Sequence, residues 1–179
     1  MIHKGQIVEI PAASPLFRKA PSEFLSKKEE LRRKSRQPEY SLFDGILVGE
    51  HQGTENFKLG QRKGINVGGK KAPLYVIGTD TVENRLFVGA GDRHPGLWIS
   101  AVSMPKNGMH GFEDLIHFSE EALENGIAVA VTSPVTEDSA AAMLYVFGSE
   151  IFLEFEQPVT VAVQDYPLTV SARNNANKK

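Results

Sequence analysis

The 179-residue sequence has no cysteine, a single tryptophan and no long apolar run. The absence of cysteine excludes disulfide scaffolds, cysteine nucleophiles, persulfide carriers and thiolate metal sites. No segment approaches the ~20 apolar residues that a membrane helix needs, and the first residues, MIHKGQ, lack the apolar core of a secretory signal. We therefore expect a cytoplasmic protein that has no membrane partner.

Histidine is also scarce, and its spacing does not suggest metal binding. The five histidines are His3, His51, His94, His110 and His117. They form neither an i, i+4 pair nor an HExxH pattern. We therefore expect no metal site and no cofactor, and histidines that are solvated or lie at the edge of the core.

Charge is distributed unevenly along the chain. The net charge is −2, yet residues 18–36 hold eight Lys or Arg against three Glu, a local +5 that leaves −7 for the remainder. A basic segment on an acidic body is typical of contact with a polyanion; a solvated helix face is the alternative. The helix predicted here starts at Ser22 or at Ser26, whose spacing to Glu29 fits a capping box.

Short apolar runs separated by turn signals dominate the rest of the chain, as is typical of β-strands. Strands are predicted at residues 6–10, 46–48, 74–77, 85–88, 97–102, 127–132, 141–147, 151–155 and 159–163. Residues 80–84 are predicted to form a hairpin loop. Helical patterns are restricted to residues 22–36 and 112–123, and the second is expected to end at Asn125-Gly126.

These patterns predict a mainly β protein, between all-β and α+β, made of two parts. Residues 1–96 are expected to form a small central β domain with a basic helix inserted at about residues 22–36. Residues 97–172 are expected to form a small antiparallel β-barrel or sandwich. Residues 173–179 are polar and are expected to be a disordered tail.

The most distinctive segment is residues 49–69, GEHQGTENFKLGQRKGINVGG. It resembles the central region of the bacterial tRNA-specific 2-thiouridylases, where a G-x-H-x-G element leads into a T-I-G-Q-R-K-G-L-G-I-G-G loop. The match includes Gly60-Gln-Arg-Lys-Gly64 and Gly68-Gly69, while Asn66 replaces a family glycine. Residues 4–8, KGQIV, resemble the strand that opens this domain in the family.

The C-terminal part resembles the β-barrel of the same family, more weakly. Residues 154–158, EFEQP, and the following Val161-Ala162 are similar to the family's F-x-x-P-x-x-A-V strand. The family's P-G-Q is replaced by residues 164–167, QDYP, and its glycine-rich closing strand has no counterpart. The resemblance therefore implies a barrel that closes differently.

The resemblance does not include the family's chemistry. Family members activate uridine with ATP on a domain that carries S-G-G-x-D-S, and they transfer sulfur through two cysteines; this sequence has neither feature. Since thiolate chemistry needs an ionisable sulfur, this chain alone is not expected to thiolate RNA. The resemblance thus implies a noncatalytic module that binds or positions tRNA in tRNA modification.

Two other functions stay open at this point. The chain could be a protein-interaction subunit that docks a separate thiouridylase or sulfur donor through its acidic barrel. Alternatively, it could be an enzyme with an acid–base site among Asp92, His94 and His51, although no partnered nucleophile is evident.

Two groups of side chains are the candidate RNA contacts. In the glycine-rich loop they are Lys58, Gln61, Arg62, Lys63, Lys70 and Lys71. On the predicted helix they are Arg32, Arg33, Lys34 and Arg36. Main-chain N–H groups of a glycine-rich turn can also face an anion. ATP is not expected there, because Gly69-Lys70 is followed by Lys71 and not by the Ser or Thr of a Walker A loop.

Each candidate has a structural alternative. The cations could simply be solvated, on a turn that needs glycine for its backbone or on a surface helix. His51 and Gln61 could hydrogen-bond a nucleotide or brace the loop. Trp98 and Phe57 could stack on bases or belong to a core or interface, and residues 92–94, Asp-Arg-His, are expected to cap the turn before Pro95.

Overall fold

The structure is a computed structural model that describes residues 4–18, 23, 26–105, 109–115 and 117–173. The mainly β prediction is confirmed: within these ranges ten strands form two sheets, one of which curls into a half-barrel. The predicted helical positions Ser22, Phe24, Leu25 and Ile116 lie outside the described residues, as does the tail beyond Arg173. None of the described helices is long and apolar enough to cross a membrane.

The chain divides into two compact units. The first comprises Met1–Ala20, Gln37–Trp98 and Thr160–Asp165, and the second comprises the remaining residues. The sheet of the first unit contains four strands: β1 (Gly5–Glu9), β2 (Ile46–His51), β3 (Leu74–Asp80) and β4 (Arg85–Ala90). Their order is β2-β1-β4-β3, so β2 and β3 are edge strands.

The pairing of this sheet places β1 at its centre. β1 pairs antiparallel with β2 and parallel with β4. The predicted loop between β3 and β4 is confirmed: Asp80 Oδ1 accepts hydrogen bonds from the main-chain N–H groups of Val82 and Glu83, each at 3.0 Å. Asn84 then adopts a φ of 52°, in the left-handed region that asparagine tolerates.

The second sheet contains six strands in the order β5-β9-β8-β7-β10-β6. The strands are β5 (Trp98–Pro105), β6 (Met109–His110), β7 (Ile127–Thr132), β8 (Ala140–Phe147), β9 (Glu150–Thr160) and β10 (Leu168–Ala172). Most pairs are antiparallel, and β10 pairs parallel with β6.

The end of this sheet differs from the prediction in two ways. The strand predicted at residues 159–163 is wrong beyond Thr160, because Val161–Asp165 form a 3-10 helix that buries the same apolar residues. A short buried apolar run is compatible with either conformation. Leu168–Ala172 form a strand, β10, which the sequence analysis missed although Leu168 and Val170 alternate with exposed residues.

The helix predicted over residues 112–123 is also wrong as a single element. A 3-10 helix, Phe112–Leu115, is followed by α2 (Glu120–Asn125). Ser119 starts α2 by accepting a 3.2 Å hydrogen bond from Ala122 N–H. Gly126, at φ 90°, ends α2 as predicted.

The inserted basic helix is present as α1 (Lys27–Ser35), which lies in sequence between the paired strands β1 and β2. Ser26 caps it: the Ser26 hydroxyl accepts from Glu29 N–H at 3.2 Å and donates to Glu29 Oε2 at 3.1 Å. Ser26 is thus the N-cap, one of the two predicted starts, and the first of these bonds is the Ser26 half of the predicted capping box. By its contacts α1 belongs to the second unit.

Candidate nucleic-acid interface

The glycine-rich loop, residues 57–73, is attached to the first sheet at its start. Gly60 N–H donates to Val76 O at 2.8 Å, and Val76 N–H donates to Gln61 O at 2.9 Å. Gly60 has a φ of +78°, and a Cβ added to it would lie 3.0 Å from Ala162 Cβ. The loop therefore requires glycine here for both its backbone and its packing.

The side chain of Gln61 braces the loop from within. Its Oε1 accepts from Lys58 N–H at 3.0 Å, and its Nε2 donates to Lys63 O at 2.8 Å. Asp165, which the sequence analysis did not single out, accepts a 2.7 Å hydrogen bond from Leu59 N–H. Gln61 thus performs the bracing role, and its amide is already engaged on both sides.

Further along, the loop is held by apolar contacts. Ile65 and Val67 pack against the buried cluster of the first sheet, together with Phe57 and Leu59. Arg62, Lys63 and Gly64 lie between these anchors and are exposed. The cations are therefore presented on a backbone whose conformation is fixed by hydrogen bonds and burial on both sides.

The loop is rich in positive charge. Residues 57–73 contain five Lys or Arg and no Asp or Glu. Lys70 pairs with Glu9 of β1. Among the described residues, Arg62, Lys63 and Lys71 make no ion pair. Arg62 and Lys63, which are adjacent and exposed on an ordered turn, concentrate positive potential on the first unit.

The candidate cations of α1 have a different environment. Arg32 binds Glu150 through two hydrogen bonds, of 2.8 and 2.7 Å. Lys34 binds Glu154 at 2.6 Å and also pairs with Glu30. Arg33 and Arg36 are exposed.

Two further lysines of α1 pair with the same carboxylates of β9. Lys27 contacts Glu154 at 2.7 Å, and Lys28 contacts Glu150 at 2.8 Å. Hydrogen bonds from Arg32 and Lys28 lower the pKa of Glu150 to about 2. Glu150 and Glu154 are thus the ionic partners of α1, which were not predicted from the sequence. Their spacing of four along a strand places them on one face, but no neighbouring residue in the sequence indicates that they pair with α1.

An apolar contact anchors α1 independently of its charges. Leu31 is completely buried, in a cluster with Tyr145 and Phe152. The Lys27 and Lys28 ammonium groups also lie over the rings of Tyr145 and Phe147, 5.2 and 5.8 Å from their centroids. α1 is therefore a packed element of the second unit.

The histidines that could have formed an acid–base site have structural roles. His94 Nδ1 accepts from Gly96 N–H at 3.1 Å, which confirms the predicted cap, and Nε2 lies 2.9 Å from Ile10 O. His51 Nδ1 accepts from Gly53 N–H at 3.0 Å. In the described part of the chain, no three His, Asp or Glu are grouped as metal ligands would be.

The two aromatic candidates differ from each other. Phe57 is half-buried, packs on the core of the first sheet and makes an edge contact with His51 at 5.6 Å, as the core alternative predicts. Trp98 remains 47% exposed, and its indole N–H donates to Asp92 O at 2.9 Å. Of these two aromatic rings, therefore, only that of Trp98 offers an accessible surface.

Comparisons with known proteins agree with the motif in this loop. Residues 28–90 match the tRNA methyl transferase PRC-barrel domain family. The chain is 35% identical over 156 residues to a tRNA-specific 2-thiouridylase of Christiangramia forsetii, and 32% identical over 156 residues to that of Flavobacterium johnsoniae. A shorter stretch of 60 residues is 43% identical to the Halalkalibacterium halodurans protein of the same name.

The chain is a relative of the tRNA-specific 2-thiouridylases. The likeness extends over their central and C-terminal part and covers 87% of this chain. The chain spans 38% of the length of the first two of these thiouridylases.

Proposed function

We propose that the chain is a noncatalytic module that contacts tRNA through its glycine-rich loop. The observation that carries this proposal is the ordered, exposed and unpaired set of cations at Arg62, Lys63 and Lys71. The names of the relatives supply the class of RNA, because they are tRNA-specific enzymes.

The loop suits phosphate contact better than base recognition. Arginine and lysine bind phosphate oxygens, and such contacts fix the position of an RNA without reading its sequence. Because the loop is braced by Gln61 and Asp165, little backbone conformational entropy is lost when its cations engage an anion. Lys58 and Lys70 lie at the margins of this surface.

The noncatalytic part of the proposal concerns chemistry. The 179 residues include no cysteine, so a thiolate cannot form in this chain and carry sulfur. The histidine ring nitrogens bonded to Gly53, Gly96 and Ile10 brace the backbone. The residues that the chain does contain therefore support binding and positioning of tRNA, and not transfer of sulfur.

The test is tRNA binding across a salt series. Arg62→Ala/Lys63→Ala should lower the slope of log affinity against log salt by about 2 and weaken binding about tenfold near 0.1 M salt, because each lost phosphate contact contributes about 0.9 to the slope. Lys4→Ala/Arg173→Ala is the control, since it removes the same charge from cations that pair with Glu50 and Glu156. Undetectable wild-type binding at low salt, or equal effects of the two variants, would refute the proposal.

A second candidate function is favoured by one apolar surface. Phe43 is 95% exposed, and Ile46 and Leu47 at the start of edge strand β2 are 67% and 54% exposed. Exposed apolar residues at a sheet edge are typical of protein contacts. This supports docking of a separate thiouridylase or sulfur-transfer protein; loss of a co-purified tRNA-modification protein in Phe43→Ser/Leu47→Ser would favour it over RNA binding.

A further inference from the structure

The contact between α1 and β9 resembles a protein–phosphate contact in its chemistry. Glu150 and Glu154 lie four residues apart on β9, and both carboxylates receive charged donors from α1. The two hydrogen bonds from Arg32 to Glu150 have the bidentate geometry with which arginine also binds phosphate. The two carboxylates therefore occupy donors that could serve a nucleic-acid backbone.

The ionic part of the contact is weak enough to exchange. The α1 cations that pair with β9 keep between 34% and 53% of their side-chain surface exposed. Cations that retain this much contact with water remain open to competing anions, and salt screens their pairs with the carboxylates. A phosphate can therefore compete with Glu150 and Glu154 for these donors.

The helix itself does not have to leave when its cations change partners. Leu31 is completely buried against Tyr145 and Phe152, so the backbone of α1 is held by apolar packing. The long Lys and Arg stems can reorient on this fixed backbone. The packing of α1 against Tyr145 and Phe152 therefore does not depend on which anions its cations pair with.

The charge balance shows how far the carboxylates mask the helix. Residues 26–36 carry six Lys or Arg and two Glu, and Glu150 and Glu154 reduce the local net charge from +4 to +2. We propose that α1 is a masked RNA-backbone site, whose cations are held by Glu150 and Glu154 until phosphates replace them. This rests on the proposed function in assuming that tRNA is the polyanion.

The experiment removes the mask while keeping the hydrogen-bonding shape of the side chains. In Glu150→Gln/Glu154→Gln we expect tRNA affinity near 0.1 M salt to rise about tenfold and the salt slope to increase by about 2. The control is Glu50→Gln/Glu83→Gln, which makes the same change of charge at carboxylates that pair with Lys4 and Arg85 of the first unit. Equal affinities and slopes for the two variants would overturn the masked site.

Two additional variants make the result specific. Adding Lys27→Ala/Lys28→Ala/Arg32→Ala/Lys34→Ala to the unmasked protein should abolish the gain, because these four cations are the ones released. Glu150→Gln alone should give about half of the slope increase, and it serves if the double variant fails to fold. A gain that survives the loss of all four cations would overturn the proposal, since it would come from general charge.

Failure of this inference is distinguishable from failure of the proposed function. If wild-type binding depends on Arg62 and Lys63 but unmasking adds nothing, the loop proposal stands and the masked site is wrong. If only the unmasked variant binds tRNA, the loop proposal is wrong and the masked site stands. Absence of binding by both proteins at low salt would overturn both.

Discussion

The glycine-rich loop at residues 57–73 and helix α1 are two strongly basic segments of the chain, and they differ in what surrounds their cations. In the loop, glycines and buried apolar anchors shape the backbone, and Arg62 and Lys63 extend from it unpaired. In α1, Arg32 and Lys34 are paired with carboxylates of β9. The same residue types thus form an accessible surface in one segment and an internal ionic contact in the other.

The difference arises from carboxylates that reach the cations of one segment but not all of those in the other. Among the described residues, no carboxylate pairs with Arg62 or Lys63 of the loop, although Glu9 pairs with Lys70. The carboxylates that neutralise α1 lie 118 to 127 residues away from the cations that they bind. A local excess of charge therefore does not reveal whether a segment is free to bind a polyanion.

The largest effect expected from this comparison is on stability, at Leu31. Leu31→Ala should lower the free energy of unfolding of the second unit by about 2–4 kcal/mol, because it removes a fully buried side chain from the contact with Tyr145 and Phe152. Hydrogen exchange of amides in α1 and β8 would measure it. Leu47→Ala, at a leucine that is 54% exposed, is the control and should change stability by less than about 0.5 kcal/mol. An unchanged exchange rate in α1 would mean that this helix is a solvated arm.

The next-largest effect on stability distinguishes the two reasons why the loop needs glycine at Gly60, its positive φ and its close approach to Ala162. Gly60→Ala should cost about 2–3 kcal/mol, since alanine is strained at φ +78° and its Cβ would lie 3.0 Å from Ala162 Cβ. Gly69→Ala, at φ +74° with no neighbour within 4 Å, should cost only about 1 kcal/mol. Urea unfolding monitored by Trp98 fluorescence would measure both. Equal costs would show that contact with Ala162 does not constrain the loop.

The sequence predicted the elements whose signals are local. The Ser26 cap, as one of two possible starts of α1, the turn at Asp80 and the end of α2 at Gly126 were predicted, because each involves residues within a few positions of one another. The same holds for the cap that His94 provides.

What the sequence could not predict depends on partners far along the chain. Nothing near Leu168 indicates that this segment pairs with both β7 and β6. The run Val161–Val163 is apolar because it is buried, and burial does not choose between a strand and a 3-10 turn. The pairing of Glu150 and Glu154 with α1 has the same origin, because these carboxylates lie 118 to 127 residues along the chain from the cations that they bind.

The smallest predicted effect is a difference in pH dependence between the two regions. Burial lowers the pKa of His94, although its bond to Ile10 O and the charge of Glu9 oppose this. The unfolded chain therefore binds a proton at this histidine at a higher pH than the folded chain does. The first unit should therefore have its full stability above pH 6.5 and lose up to about 1 kcal/mol as the pH falls to 5.5.

The contact of α1 should respond only in more acid solution. Its donors lower the pKa of Glu150 to about 2, and Lys27 and Lys34 outweigh burial in lowering that of Glu154. The ionic contribution is thus complete above about pH 4.5 and decreases as the pH falls through these lowered pKa values. Trp98 fluorescence reports on the first unit, and exchange of the α1 amides, corrected for intrinsic rates, reports on the second. His94→Gln should remove the loss of stability of the first unit between pH 6.5 and 5.5. If this loss persists in the variant, or if α1 loosens over the same pH interval, the two regions do not respond independently to protons.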